Sequence, residues 1–566
     1  MERTSQGRRL AALADVDNAQ FTLVNETLTG CQFMIARKCH LLRTCCKGVF
    51  TKSFSYNILS ISIVATMLGY VYGECSTSGT VDPSIPSLKT GHDLALKVAT
   101  PIGTAIGQMI FGGASDVVGR KKMYGVEMLI IIISVVGQTI IPRTATASTM
   151  TTVLGILRFV MGLGAEGDYP LSAVITSEFA PPRYRGRMVA SVFASQGWGA
   201  LASALLPFAL VAAYKESILA SIQAGNGNEK AYIDSMWRIV VGLGAVPACI
   251  ALYARLTITE TPRFTIDIQG NIDEAVRDIS SALDEECTAS SSQSVMTHYS
   301  VPERSWDDLR QYFMQLRNFK ALFGTAFSWF ALDVAFYTLT LNAPIILEVV
   351  AFGQGANFHD SSTTCDRKYS AGIFHVLLTS TRGNLILSAA TLLPGYYFSI
   401  ALIDVWGRKP IQLMGFILLT VLFMIMGFAY NHLRLHAMPW FVFLYSMANF
   451  FQNFGPNVTT YIIASEFALT RYRGLTYGVC AASGKLGAVV AQIGFSSIQI
   501  SNKNYDNNNI ESVQKILQLI AFFMLSGVFS TLLLPETKGK TLEEFSGENQ
   551  KKQDTQLQIP LLSRSG

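Results

Sequence analysis

Long apolar segments recur along the whole chain and are separated by shorter polar or basic stretches. Each is about 20 residues long, the length that an α-helix needs to cross a bilayer. The pattern predicts six spans near 53–73, 95–115, 123–142, 149–174, 187–213 and 237–256. It predicts six more near 321–350, 379–401, 411–430, 439–464, 475–499 and 512–534. We number them span 1 to span 12 and expect an all-α membrane protein.

Three motifs in the loops between spans occur twice, 288 residues apart. The first copy contains Asp116, Gly119, Arg120, Glu178 and Arg183, and the second contains Asp404, Gly407, Arg408, Glu466 and Arg471. In both copies 59 residues separate the glycine from the glutamate. Such a repeat indicates an internal duplication. In an apolar chain, two homologous halves are typical of transporters whose binding site lies between them.

The balance of charges agrees with a membrane protein. The chain of 566 residues is 50% hydrophobic and 15% charged, whereas soluble proteins carry about 25% charged residues. The net charge of +5 lies mostly in short loops, where Lys and Arg set orientation in the membrane rather than bind nucleic acid. The basic loops after spans 2, 4, 8 and 10 are therefore expected in the cytoplasm. With twelve spans, both termini are then cytoplasmic as well.

These features divide the chain into five parts. We expect a polar N-terminus, a six-helix half, a cytoplasmic linker with amphipathic helices, a second six-helix half and a cytoplasmic tail, at 1–48, 49–257, 258–318, 319–534 and 535–566. In the linker, Ser305 begins a capping pattern that predicts the start of a helix. We interpret the linker as a tether between the halves.

Ionisable side chains inside a membrane are costly and mark functional sites. Within the spans we single out Asp168, Asp333, Lys485, Arg158, Glu166 and Glu127. In span 7, Trp329, Asp333 and Tyr337 recur every four residues, so one helix face presents an indole N–H, a carboxylate and a phenol. The repeat relates Tyr169 of span 4 to Asn457 of span 10, which predicts two polar groups across a central cavity. Gln196 of span 5 is either part of this cavity or an interhelical hydrogen-bonding group.

This set of groups suits a small oxyanion, because it combines one ammonium group with several hydrogen-bond donors. Carboxylates in the same cavity repel an anion unless they are protonated, so anion binding and proton uptake become coupled. The predicted mechanism is proton symport. Asp168 or Asp333 takes up a proton, the anion binds, the protein switches, and both are released.

Other chemistries find no support in the sequence. Lys485 follows Gly484, but the phosphate-binding loop of nucleotide-binding proteins requires Ser or Thr where Leu486 stands. The nine cysteines show no metal-ligand spacing. We expect no cofactor, metal or nucleotide, and no enzyme, because no nucleophile lies beside a candidate base.

The run from Gly167 through Asp168, Tyr169 and Pro170 to Glu178 resembles the signature of the phosphate:proton symporter family, within the major facilitator superfamily. The resemblance continues through span 7, the segment 453–457 and the surroundings of Lys485. It covers roughly residues 60–545, and the chain most resembles the fungal high-affinity inorganic phosphate transporters.

The resemblance implies a twelve-helix fold of two pseudo-symmetric halves that imports inorganic phosphate with protons at the plasma membrane. It implies that Asp168 carries the proton and that Lys485 attracts or gates the anion. It also implies phosphate ligands at Tyr169, Gln196, Trp329, Asp333, Tyr337 and Asn457.

The chain departs from the family pattern at two places. In span 1, Phe54 and Asn57 stand where the family usually has Asp, and one of those carboxylates is a proposed part of the proton relay. In span 4, Glu166 stands where Gly is usual. These departures keep two alternatives open: the same fold carrying another solute, such as a glycerophosphodiester or a sugar, and a phosphate sensor with little transport.

The duplicated basic loops are interpreted both as positive-inside anchors and as a latch that holds the cytoplasmic face closed. In the superfamily such loops cap helix ends. We expect the latch to consist of Asp116, Arg120, Glu178, Arg183, Asp404, Arg408, Glu466 and Arg471.

Overall fold

The computed structural model describes residues 55–73, 88–165, 167–180, 183–225, 227–256, 305–343, 365–501 and 508–540. These residues form helices joined by turns, without a β-strand among them. Ten helical segments in this part of the chain are long and apolar enough to cross a membrane. They include ten of the predicted spans. Span 3 corresponds to the shorter apolar helix Gly125–Ile140, and span 10 is broken into two helices.

The first half starts with α1, Ile61–Tyr72, which continues a helical turn so that Ser55–Tyr72 forms one apolar span. The following helices are α2 (Thr90–Val118), α3 (Arg120–Ile140), α4 (Ala147–Ala165), α5 (Asp168–Phe179), α6 (Arg185–Ala213), α7 (Lys215–Ala224), α8 (Glu229–Leu243) and α9 (Ala245–Leu256).

The second half starts after a linker helix, α10 (Trp306–Met314), whose N-cap Ser305 accepts a hydrogen bond from the Asp307 N–H as predicted. The linker residues 258–304 lie outside the described residues. The following helices are α11 (Leu316–Leu341), α12 (Cys365–Leu387), α13 (Leu393–Trp406), α14 (Arg408–Phe428), α15 (Tyr430–His436), α16 (Met438–Asn453), α17 (Pro456–Glu466), α18 (Arg473–Ser501) and α19 (Asn508–Leu532). A π-helical turn, Ser388–Leu392, joins α12 to α13.

Span 10 is broken into two helices before Pro456, where the backbone of Gly455 is extended. Proline suits the first turn of a helix because it has no N–H to leave unpaired. The position of span 4 that lies 288 residues earlier is Asp168, and the backbone of Gly167 before it is helical. Tyr169 and Asn457 are equivalent under the repeat, with Asn457 in the first turn of α17.

Some predicted boundaries are wrong on the side of the membrane opposite the duplicated loops. The apolar span that contains α8 begins at Glu229, not near residue 237, and the short helix α7 was not predicted. The first turns of α8 contain a polar residue, Asp234, that is buried inside the half and hydrogen-bonded there. Asp234 accepts hydrogen bonds from the Tyr72 hydroxyl at 2.9 Å and from the Trp237 indole N–H at 2.8 Å. A hydropathy pattern therefore places the helix start too late.

The two halves meet along α2 with α18 and along α6 with α13, and these two contacts are equivalent under the repeat. Between α2 and α18 the backbones approach closely. A methyl group added at Gly112 would overlap the carbonyl of Gly474, and one added at Gly478 would overlap the carbonyl of Gln108. Small residues permit such close packing of membrane helices. These glycines bring the halves together beside the duplicated loops.

The tight turns after α2 and α13 also match. Gly119 has a φ of 106° and Gly407 a φ of 105°. Only glycine adopts this conformation without strain. Both copies of the motif therefore need glycine because of this backbone conformation, and each glycine is the N-cap of the next helix.

Candidate functional site

A buried ion pair lies where α11 meets α18. The Lys485 ammonium is 3.2 Å from an Asp333 carboxylate oxygen and donates to the Tyr337 hydroxyl at 2.9 Å. Both members of the pair are about 3% exposed. Opposite charges that are buried together remain ionised only when the geometry and the hydrogen bonds compensate for lost hydration. The pair is therefore a buried ion pair between two membrane-spanning helices and not a surface salt bridge.

Trp329 completes the face of α11 that the sequence predicted. A side chain at Gly484 would lie 2.6 Å from Trp329 Cδ1 and 3.0 Å from Asp333 Oδ2. The glycine before Lys485 therefore makes room for both side chains. Under the repeat, Gly484 corresponds to Gln196 of the first half. The first half therefore has a long polar side chain at this position, whereas the second half has none.

The first half contributes Tyr169 and Gln196. The Tyr169 hydroxyl donates to Gln196 Oε1 at 2.6 Å. The Lys485 ammonium lies 5.5 Å from the centroid of the Tyr169 ring and 4.9 Å from that of Tyr337, within the range of cation–π attraction. The lysine of the second half thus lies against a residue from each half. Gln196 accepts a hydrogen bond from Tyr169 on a neighbouring helix of the same half, which is the interhelical contact of its second predicted interpretation.

Asn457 is the predicted site residue that the repeat relates to Tyr169. Its amide N–H group donates to Asn453 Oδ1 at 2.7 Å and to the Tyr396 hydroxyl at 3.1 Å. Tyr396 in turn packs against Phe193 of the first half, with ring centroids 5.7 Å apart. Because Asn457 lies in the first turn of α17, the positive end of that helix dipole lies beside it, which favours an anion.

The sequence analysis missed several residues of this cavity. Ser172 and Tyr461 form a hydrogen bond of 2.9 Å between the halves, and Tyr477 packs edge-on against Trp329. Tyr396 is fully buried. Aromatic residues are common in membrane helices, so the spacing of these tyrosines did not mark them as site residues. The repeat relates Tyr396 to Gln108, which is also polar and buried. Two polar residues at equivalent positions could have identified Tyr396 from the sequence.

Asp168 is buried in the first turn of α5. The adjacent Gly167 leaves space for Glu127 of α3, whose Oε1 lies 2.6 Å from where a side chain would begin. Glu127 therefore lies against the backbone of Gly167, the residue before Asp168, in the half that does not contain Asp333. Asn57 donates to the Gly244 carbonyl at 3.4 Å, whereas Phe54 and Glu166 lie outside the described residues.

The first copy of the predicted latch joins the halves. Asp116 accepts hydrogen bonds from the backbone N–H groups of Gly474 and Leu475, at 3.1 and 2.9 Å. Glu178 lies 3.1 Å from Arg473 and 3.4 Å from Arg120. A carboxylate of one half thus caps the first turn of α18 in the other half.

The second copy repeats this arrangement in the opposite direction. Asp404 accepts from the backbone N–H of Arg187 at 2.9 Å, near the start of α6. Arg408 lies 2.9 Å from Asp404 and 3.0 Å from Glu466. Glu536 of the tail accepts from the backbone N–H of Arg408 at 3.1 Å. Six of the eight predicted latch residues therefore lie in two pseudo-symmetric clusters.

The other two predicted latch residues lie elsewhere. Arg183 is exposed, with its guanidinium 5.3 Å from the Tyr184 ring. Arg471 pairs with Asp308 of the linker helix. The arginine that crosses between halves is Arg473, two residues after Arg471. In an Arg-Tyr-Arg motif the spacing does not reveal which arginine is buried, so only the tertiary structure distinguishes them.

The described residues contain no group of three or more His, Cys, Asp or Glu side chains arranged to hold a metal ion. The cavity instead combines one ammonium group, one carboxylate, phenols, an indole and amides. Such a set can bind a small oxyanion when the ion pair between the Asp333 carboxylate and the Lys485 ammonium group is broken.

The comparisons with known proteins agree with this chemistry. The family model described as "Sugar (and other) transporter" matches residues 48–347 and 367–548. The repressible high-affinity phosphate permease of Neurospora crassa is 39% identical over 96% of this chain and 90% of its own length. An inorganic phosphate transporter of Saccharomyces cerevisiae is 40% identical over 88% of this chain and 83% of its own length.

A solved structure has a similar fold. The structure of a major facilitator superfamily proton:xylose symporter bound to 6-bromo-6-deoxy-D-glucose aligns with a TM-score of 0.62. The alignment covers 91% of this chain and 98% of that chain, with 20% sequence identity. The predicted fold of two six-helix halves is thereby confirmed.

Proposed function

The chain belongs to the sugar (and other) transporter family, whose members are transporters rather than enzymes, and from this premise we propose that it imports inorganic phosphate together with protons by alternating access. The proposal is supported by relatives named as phosphate permeases and transporters. It is supported equally by the chemistry of the cavity, which suits a small oxyanion.

The observation that carries the proposal is the buried pair of Lys485 and Asp333. As long as Asp333 is ionised, it neutralises the lysine and repels an anion. Protonation of Asp333 removes the repulsion and leaves the ammonium group for phosphate. Phosphate binding and proton uptake therefore favour each other, which is the linkage that a symporter needs.

The remaining predicted residues have separate roles in this proposal. Trp329 and Tyr337 donate hydrogen bonds to phosphate. Tyr169, Gln196 and Asn457 exchange the hydrogen bonds that they make with their protein partners for hydrogen bonds to phosphate when it binds. Asp168 carries a proton in the first half. The pseudo-symmetric latch clusters hold the cytoplasmic face closed and separate when phosphate is released inside. We place the protein in the plasma membrane with both termini in the cytoplasm.

The test is uptake of radiolabelled phosphate at pH 5 and pH 8, in cells that lack their own phosphate importers. We expect uptake at pH 5 that falls strongly at pH 8, and none in Asp333→Asn at either pH, because a neutral amide cannot exchange a proton. Surface labelling confirms that each variant reaches the membrane. Uptake that is equal at both pH values would contradict proton coupling.

The same assay distinguishes the rival solutes. An excess of unlabelled glycerophosphodiester or sugar should not compete with phosphate, since neither presents the same compact anion to Lys485. Competition by a sugar would favour the first alternative.

A phosphate sensor remains the second candidate, because span 1 has Asn57 where the family pattern has a carboxylate. Phosphate binding to purified protein, without uptake by the cells, would support the sensor.

A further inference from the structure

A charged residue that the sequence analysis overlooked lies in the outer part of span 2, on the side opposite the latch. Lys97 is two turns into α2, within the predicted span 95–115, and is 6% exposed. An ammonium group inside a membrane requires partners that compensate for lost hydration. Its partners show what it does.

Lys97 has one partner in each half. It lies 2.8 Å from Asp93, one turn earlier on the same helix, and donates to Asn342 Oδ1 at 3.0 Å. Asn342 is the C-cap of α11, at the outer end of that helix. Because α2 begins and α11 ends on the outer side, this hydrogen bond ties the halves together opposite the cytoplasmic latch.

The outer bond is also connected to the site. Asn342 donates through its amide to Gln492 Oε1 at 3.3 Å, and Gln492 donates to the Tyr337 carbonyl at 2.9 Å. The hydroxyl of the same tyrosine accepts from Lys485. Three hydrogen bonds and the Tyr337 side chain, which joins its carbonyl to its hydroxyl, therefore connect Asn342 at the outer contact between the halves to Lys485.

We propose that Lys97 and Asn342 form the outer gate of the transport path, and that Gln492 links this gate to the cavity through Tyr337. The gate must open before a solute can reach Lys485 from outside. The cytoplasmic clusters must separate before the solute leaves. The identity of the solute comes from the proposed function, whereas the gate itself does not depend on it.

The gate can open without leaving an unpaired charge. When the halves separate, Lys97 loses the neutral Asn342 and keeps the carboxylate of Asp93, which is partly exposed at the start of α2. Asn342 keeps its hydrogen bond to the Thr338 carbonyl at 3.1 Å. Opening therefore costs one hydrogen bond between the halves rather than an ion pair, which suits a contact that breaks in every transport cycle.

The test measures access from outside to the space between the halves. A small cavity there, separate from the residues around Lys485, is lined by Leu59, Ser62, Ser203, Leu339, Thr340 and Asn449. Ser62→Cys in α1 and Thr340→Cys in α11 place a reporter thiol in it, one from each half. We measure the rate at which a membrane-impermeant thiol reagent, applied to intact cells, labels each reporter, and subtract labelling of the parent with its native cysteines.

Lys97→Met keeps the length of the side chain and removes its donor, so the closed gate loses its hydrogen bond. We expect labelling to become faster by about tenfold, because hydrogen bonds to charged groups are among the stronger ones. Asn342→Leu removes the other partner and should give the same increase. The matched control is Asp93→Asn, which keeps the bond between the halves but removes the carboxylate that Lys97 retains when the gate opens. It should make labelling no faster than in the parent, and slower if opening then leaves the ammonium group unpaired.

Faster labelling at either reporter in both gate variants, but not in Asp93→Asn, supports the gate. Unchanged or slower labelling at both reporters in Lys97→Met and Asn342→Leu overturns it. The labelling requires no transported solute. If the labelling pattern is as expected while the parent takes up no phosphate, the proposed function fails and the gate stands.

Discussion

At the scale of single residues, the site depends on Lys485 and on the side chains that fix the position of its ammonium group. Asp333 and Tyr337 hold the ammonium group from α11, while the Tyr169 ring approaches it from the first half. Each contact comes from a different point of the chain. A change at one member therefore alters the balance among the others more than it alters the fold.

Removal of one charge from the buried pair should be more harmful to stability than removal of both. Lys485→Met leaves Asp333 without its counter-charge, and such losses cost about 3–5 kcal/mol. The double variant Lys485→Met with Asp333→Asn leaves no charge and should recover much of the melting temperature in detergent. Neither variant should take up phosphate. A double variant that melts below the single variant would contradict this account of the pair.

A methyl group beside the lysine should block the cavity. In Gly484→Ala the new carbon would lie 2.6 Å from Trp329 Cδ1. The indole must therefore move, and Trp329 no longer lies in line with Asp333 and Tyr337 on α11. We expect phosphate uptake to fall by at least about tenfold, since a shift of about 1 Å in a bound geometry has effects of this size. The control is Gly494→Ala in the same helix, where a methyl group meets nothing within 4 Å. Equal effects of the two variants would contradict the steric argument.

At the scale of helices, the break in span 10 matters most. A continuous helix would turn Asn457 according to the residues before Gly455. Instead Asn457 lies in the first turn of α17, whose direction is set independently of α16. The close approach of α2 and α18 is the second feature of this scale, because it brings the halves into contact beside the duplicated loops without intervening side chains.

This approach should tolerate no added side chain. Gly478→Ala places a methyl group against the Gln108 carbonyl, and backbone atoms cannot rotate away. We expect lower stability, on the order of 1–3 kcal/mol for an overpacked contact, together with slower uptake. The melting temperature in detergent and the initial uptake rate measure both effects. Gly155→Ala in α4, where a methyl group has open space, should change neither quantity.

At the scale of the whole molecule, contacts between the halves occur on both sides of the site. Two pseudo-symmetric clusters join the halves beside the duplicated loops, and the hydrogen bond of Lys97 with Asn342 joins them at the opposite end. The linker helix α10 is attached to the second half through Asp308 and Arg471. Alternating access then requires the two sets of contacts to break in turn.

The two arginines of the latch motif should differ strongly in importance. Arg473 is buried and pairs with Glu178 of the other half, whereas Arg183 is exposed. Arg473→Gln leaves Glu178 with a weakened set of partners and should reduce both stability and the maximal uptake rate several-fold. Arg183→Gln should stay within about 0.5 kcal/mol of the parent. A larger effect at Arg183 would show that the exposed arginine, not the buried one, holds the latch.

The sequence by itself determined the number and order of the spans, the internal duplication and the face of α11, because each of these follows from a local period or an exact repeat. It also singled out Asp333, Tyr337 and Tyr169, which the structure brings to Lys485. The tertiary structure alone decided which groups meet. It paired Asp333 with Lys485, chose Arg473 over Arg471, brought the phenols of Tyr396 and Tyr461 into the cavity and revealed the partner of Lys97. These contacts join residues more than 60 positions apart, and no periodicity along the chain encodes which helices pack together.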